Sequence, residues 1–220
     1  PEDYNAFLSK LRCFDKIYIT DEDKIRGDLY KSESKRTKLK QQLKSLSDWI
    51  KTLDLTITIE NIKNENTPRA VQLLNKTNQM NLSTRRLNER EFNKWVQEDK
   101  NNLWTIRAAD KFGDYGIIGI FSISIKDNVA TLVDFILSCR VVGRYIEETM
   151  IEFLKEFCHK NNVNKIRGKY KKTEKNSLCY YFFNKLKLIN SNQYSFEFLS
   201  NQEKLNLLNI KIKKPTTEKK

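Results

Sequence analysis

The segment from Val129 to Leu137, followed almost at once by a long amphipathic stretch, limits the folds open to this chain more than any other feature. The run Val-Ala-Thr-Leu-Val-Asp-Phe-Ile-Leu is apolar on both faces, which predicts a central strand covered on both sides. From Gly143 the period turns helical, with Ile146, Thr149, Met150, Phe153, Leu154 and Phe157 on one stripe over three turns. A doubly covered strand that feeds one helix needs other helices across its sheet.

The remaining periods supply them. Leu55, Ile57 and Ile59 alternate with polar residues and predict a strand. A helix starts at Thr67 and Pro68 with Ala70, Leu73 and Leu74 inward, and a shorter one over 88–98 carries Phe92, Trp95 and Val96. Strands follow over 103–109 and 117–125, joined by a turn at 111–116, and Asp127-Asn128 turns the chain into the central strand. A strand near 165–170, a helix over 177–186 and a strand over 194–199 complete the order. Residues 1–54 read as helical. Thr20 with Asp23, and Ser45 with Asp48, have the form of capping boxes, and Leu39, Leu43, Leu46, Ile50 and Leu53 form a stripe opposite the solvated Lys35, Arg36, Lys38, Lys40 and Lys44. The expected division is therefore a helical connector over 1–54, one domain over 55–210, and a disordered basic tail over 211–220.

The 220 residues carry 41 basic and 28 acidic side chains, a net charge of +13, with 39% apolar residues. That composition excludes an acidic disordered chain. Twelve Phe, nine Tyr and three Trp against six Gly and three Pro suit an aromatic-rich packed core. No run reaches the roughly 18 apolar residues of a membrane span and no secretory signal opens the chain, so a cytoplasmic location is expected. The start at Pro1 suggests a piece of a longer protein. Cys13, Cys139, Cys158 and Cys179 stand far apart and His159 is the single histidine, so neither a metal site nor a disulfide framework is expected.

The element order, strand, two helices, three antiparallel strands, helix, strand, helix, strand, resembles the acyl-CoA N-acyltransferase (GNAT) architecture. The expected fold class is thus α+β, a mixed and largely antiparallel twisted sheet flanked by helices. At the junction of central strand and helix that architecture carries the pattern Q/R-x-x-G-x-G/A, which cradles a coenzyme pyrophosphate. Arg140, Gly143 and Arg144 match it here, while Tyr145 replaces the small last residue. The physics is general, because unpaired N–H groups at a helix start bind anions. The resemblance implies coenzyme A or another phosphopantetheine thioester as cofactor, held in the splayed sheet by Leu137, Ser138, Arg140, Val142, Gly143, Arg144, Tyr145 and Asn176.

Three longer words, Pro68-Arg-Ala-Val-Gln-Leu-Leu-Asn-Lys-Thr-Asn-Gln-Met-Asn-Leu-Ser-Thr-Arg-Arg86, Lys111-Phe-Gly-Asp-Tyr-Gly116 and Asp134-Phe-Ile-Leu-Ser-Cys-Arg-Val-Val-Gly-Arg144, resemble the C-terminal part of FkbH-like proteins of the haloacid-dehalogenase (HAD) superfamily. The stretch Ile19-Thr-Asp-Glu-Asp-Lys-Ile-Arg26 with Tyr30 and Lys35-Arg36 is similar to their helical connector. This resemblance implies a preceding phosphatase domain, whose D-x-D-x-T motif is absent here. It further implies transfer of an acyl group, glyceryl in some relatives, to an acyl carrier protein.

Asp134, a carboxylate in an apolar strand, is the expected general base, with a structural pair to Arg85 or Arg86 as the alternative. Cys139 beside Arg140 is a candidate acyl-carrying thiolate, with simple packing as the alternative. The polar cluster Asn75, Lys76, Thr77, Asn78, Gln79, Asn81, Thr84, Arg85 and Arg86 is expected to bind a polar acyl group or its acceptor. Phe183 stands where many GNAT enzymes place a Tyr proton donor, leaving Tyr180 or Tyr181 as substitutes. Acyl transfer is the expected function. A non-catalytic docking module for an acidic carrier or partner domain is the alternative. Lys165, Arg167, Lys169, Lys171, Lys172 and Lys175 prompt a nucleic-acid reading, but no aromatic-interleaved motif accompanies them, so nucleic acid and membrane are not expected partners.

Overall fold

The computed structural model describes residues 3–8, 10–11, 21–43, 45–186, 189–190, 194–205, 207 and 210–215. The chain divides into two compact units, residues 1–42 and 43–220. In the first lie α1 (Tyr4–Leu8) and α2 (Asp21–Gln42). Lys35, Lys38 and Lys40 are exposed on α2, as expected, whereas Arg36 is buried and pairs with Glu33 at 3.6 Å. The cap expected at Thr20 lies outside the described residues.

The second unit, from residue 43, has α3 (Leu46–Leu53) as its first helix. Ser45 caps it, its Oγ accepting from the Asp48 N–H at 3.0 Å. Trp49, Ile50 and Leu53 form its buried face, and Leu46, expected on the same stripe, is exposed. Next come β1 (Thr56–Asn61), α4 (Thr67–Lys76), the two-residue strand β2 (Met80–Asn81) and α5 (Glu89–Val96). Asn88 and Glu91 close a reciprocal capping box on α5.

The antiparallel run β3 (Asn101–Asp110), β4 (Gly113–Lys126) and β5 (Val129–Leu137) forms the middle of the sheet. The first hairpin is tighter than expected, since Gly113 already pairs with Asp110. Asp127 and Asn128 both have left-handed φ, 51° and 58°, the geometry of a two-residue hairpin. Then follow α6 (Ile146–Lys160), β6 (Lys165–Lys169), α7 (Ser177–Lys185), β7 (Ile189–Asn190), β8 (Ser195–Leu199) and β9 (Lys211–Lys213). The strand order is β7-β8-β6-β5-β4-β3-β1-β9, with β2 paired to β5. Residues 211–213, expected in a disordered tail, pair in parallel with β1, because Ile212 finds a place beside Ile57.

Alternation along the strands gives the sheet two apolar faces. One packs Ala70, Leu73, Leu74 and Phe92 of α4 and α5 against Leu103, Ile120 and Ile136. The other packs Met150, Phe153 and Leu154 of α6 and Phe183 of α7 against Trp104, Phe121 and Phe135. As expected, β5 is doubly covered. Its outer edge, opposite β4, is divided: residues 129–132 pair in parallel with β6, and residues 136–137 pair with β2.

Candidate functional site

Asp134 sits just past a bulge, for Ser122 opposes Asp134 while Ile123 opposes Leu132, so Val133 is the extra residue on β5. The carboxylate is fully buried on the α4 and α5 side of the sheet and is bound on both oxygens. Arg85 reaches it in a fork, Nε to Oδ1 at 2.8 Å and Nη2 to Oδ2 at 2.5 Å. Ser122 Oγ donates to Oδ2 at 2.6 Å and Ser83 Oγ to Oδ1 at 3.2 Å. The Arg85 guanidinium lies over the Trp95 ring, 4.3 Å from its centroid. This is the ion pair weighed as the structural alternative. Four donors on one carboxylate leave little room for a substrate proton.

Part of the polar cluster of residues 75–86 is likewise bonded within the chain. Asn75 exchanges two hydrogen bonds with the backbone of Leu87, at 2.7 and 3.2 Å. Arg86 holds the carbonyl of Leu74 and, at 2.7 Å, Asn78 Oδ1. Asn81, fully buried, donates to Thr77 O at 2.9 Å and accepts from the Thr84 N–H at 2.8 Å, and Thr84 takes a left-handed φ of 53°. Asn176 completes the lattice. Its Nδ2 donates to Asn81 O at 3.0 Å and Lys171 O at 2.8 Å, and its Oδ1 accepts from Thr173 N–H at 2.8 Å and Tyr170 O–H at 2.7 Å. Lys76, Asn78, Gln79 and Arg86 are exposed.

The loop after β5 approaches α6 through a short 3₁₀ turn, Cys139–Val141. Leu137 is a core residue and Val142 packs against the core. The Ser138 N–H is bonded to Ile118 O at 2.8 Å, and Arg140 is half-buried. Gly143 has a φ of 77° with open space where a Cβ would stand, and Tyr145 caps the helix at a φ of 61°. Arg144 points away from the helix start into a buried cluster. It donates to the Tyr115 hydroxyl and lies 5.2 Å from the Trp49 and Tyr115 ring centroids, while Tyr115 donates to Asp110 at 2.6 Å.

The residue that sequence reasoning missed at this loop is Glu147. It is buried in the first turn of α6, its Oε1 accepts the Gly143 N–H at 2.8 Å, and its Oε2 is buried with no partner among the described residues. Burial pushes its carboxyl up to about 7, with Glu148 adding to the rise and the Gly143 N–H, its own N–H and Lys185 opposing it. A Glu in a first helical turn is ordinary dipole matching, so no sequence signal set it apart. The loop departs from an open anion cradle, because Glu147 takes the Gly143 N–H and Arg144 is bonded to Tyr115.

Cys139 is exposed at the carboxyl end of β5. Cys158 and Cys179 are buried, and burial raises both thiols, Cys158 to about 12. Cys13 lies outside the described residues. Phe183 is buried, stacked on Phe196 with centroids 4.6 Å apart, Tyr180 is half-buried against Tyr170 and Tyr194, and Tyr181 is 64% exposed. Asp134 lies on the α4 and α5 side of the sheet, and α6 packs on the other. Among the described residues no group of three or more His, Cys, Asp or Glu is placed to hold a metal, and no helix is long and apolar enough to cross a membrane.

No family model matches the sequence, and no curated protein does. Solved structures do resemble it. A spermidine N-acetyltransferase from Vibrio cholerae, in complex with CoA and spermine, matches with a TM-score of 0.51 at 13% identity over 67% of this chain and 97% of its own. A domain from Methanocaldococcus jannaschii matches with a TM-score of 0.51 at 13% identity over 66% of this chain and 99% of its own. Likeness at this identity shows the fold, and the fold is the GNAT-like one expected from the element order. The closer resemblance to FkbH-like proteins is overturned, because the structural neighbours are acetyltransferase-type folds and not phosphatases of the HAD superfamily or FkbH-like proteins. The preceding phosphatase domain and the glyceryl group rested on that resemblance and have no other support.

Proposed function

We propose that this GNAT-fold domain is a docking module that recognises an acidic protein surface, of the kind an acyl carrier protein presents. The observation that carries the reading is a contrast. Asp134, Asn81, Asn176 and Arg144, buried polar groups of β5, the inserted segment and the loops beside them, are engaged with partners inside the chain, while Lys169, Lys171, Lys172 and Lys175 face solvent. A basic face of this kind steers an acidic partner and weakens as salt screens it. The test is titration calorimetry of the protein with an acidic acyl carrier protein at low and at physiological ionic strength. Salt-sensitive binding that survives Asp134→Asn, and that Lys171→Glu with Lys172→Glu and Lys175→Glu weakens at least about tenfold, about 1.4 kcal/mol, supports docking. Binding indifferent to salt and to the charge reversals refutes it.

A second reading, acyl transfer, is favoured by the exposed thiol of Cys139 at the carboxyl end of β5. Its thiolate would attack the carrier thioester and release the carrier thiol, keeping the acyl group as a new thioester. Intact mass spectrometry after incubation with acylated carrier protein, or with acetyl coenzyme A, decides it. A mass gain abolished by Cys139→Ala supports transfer through this thiol, and no gain refutes the Cys139 route.

A further inference from the structure

We infer that the gap where β5 and β6 part is filled permanently by the chain's own segment Met80, Asn81 and Leu82, and that the domain does not seat a pantetheine arm there. An extended arm with two amides would have to pair with the free edge of β5 beyond Leu132, as any backbone-like strand does. That edge is taken. Met80 opposes Leu137, Asn81 opposes Ile136, and the Leu82 N–H donates to Phe135 O at 3.2 Å. On the far side the Lys171 N–H donates to Leu82 O at 3.0 Å, and Asn176 holds Asn81 O. The inserted segment is thus bonded along both edges, like a strand inside a sheet.

Its side chains close the remaining space. Met80, Asn81 and Leu82 are all fully buried, and Asn176 beside them is too. Both amide side chains are bonded at N and O alike, Asn81 to the two ends of its own loop and Asn176 to four groups that include the insert. Two residues expected to touch a cofactor or substrate are therefore the lock that keeps the insert in place. The inference deepens the docking reading, since a module that only recognises its partner has no use for an open arm channel.

Hydrogen exchange on the full chain, read by mass spectrometry with and without millimolar acetyl coenzyme A, tests the closure. The expected result is that residues 80–82 and Lys171 exchange as slowly as β4 and β5 and do not change when acetyl coenzyme A is added. Fast exchange in that segment, or protection gained there on adding acetyl coenzyme A, overturns the inference. In Asn176→Ala the same amides should exchange at least about tenfold faster while β4 is unchanged, and uniform acceleration across the sheet would refute the local lock. Carrier binding measured on the same samples separates the two readings. Loss of docking with the segment still protected counts against docking alone, and an opening gap with docking intact counts against closure alone.

Discussion

A carboxylate buried in the first turn of a helix is stabilised by the helix dipole and destabilised by the loss of water, and at Glu147 burial wins, with the acid near 7 against an ordinary 4.5. The folded state therefore holds this proton more tightly than the unfolded state. Its contribution to stability is complete below about 4.5 and is lost as pH rises through about 7. Glu147→Gln keeps an oxygen for the Gly143 N–H and removes the charge. The variant should match the wild type at pH 4.5 and exceed it at pH 8 by on the order of 3 kcal/mol, as the shift implies. Urea unfolding at the two pH values checks this, and a pH-independent difference would sink it. Glu147 shows what a sequence hides, since it reads as a normal first-turn acid until its unpaired oxygen is located. Asp134 was legible as a carboxylate needing a partner, because nothing else on its strand is charged. The Asn residues were legible only as polar. An amide bonds a ligand or a backbone equally well, and here Asn75, Asn81 and Asn176 all bond the backbone.

Among elements, the periodic ones were read nearly to their ends, and α4, α5, β5, α6 and β8 lie where hydrophobic spacing puts them. Two and three residues hold no period, so β2 and β9 had no signature, although β2 decides whether the gap is open. Its burial sets the scale. Exposing Met80 and Leu82 would cost roughly 1.5–3 kcal/mol each, and breaking five hydrogen bonds roughly 0.5–1.5 kcal/mol each. The total, about 5–13 kcal/mol, is comparable with the whole binding energy of a micromolar ligand, about 8 kcal/mol. Close packing at the neighbouring strand is equally unforgiving. A methyl group on Gly168 of β6 would drive into the Phe196 ring, which is already stacked on Phe183. Gly168→Ala should cost about 1–3 kcal/mol and lower the melting temperature by about 2–10 °C in a circular dichroism melt. An unchanged melting temperature would mean that the aromatic stack yields freely.

At the scale of the molecule the charge is uneven. Residues 1–42 hold ten basic and eight acidic side chains, so eleven of the thirteen net positive charges belong to residues 43–220. Both faces of the apolar core belong there as well, from Leu55 just before β1 to Phe198 on β8. A unit with its own core and a large surplus of one sign should fold alone, yet repel itself at low ionic strength. The fragment 43–220 is therefore expected to unfold in one cooperative transition, with near- and far-ultraviolet dichroism coincident. Its midpoint should rise by a few degrees as sodium chloride goes from low to physiological strength, since screening within about 8–10 Å relieves the repulsion. A broad transition with separated probes would show that residues 1–42 are needed to complete the core. A midpoint that falls with salt would show that the lysines are held in attractive pairs, and the basic face would then be poorly suited to an acidic partner.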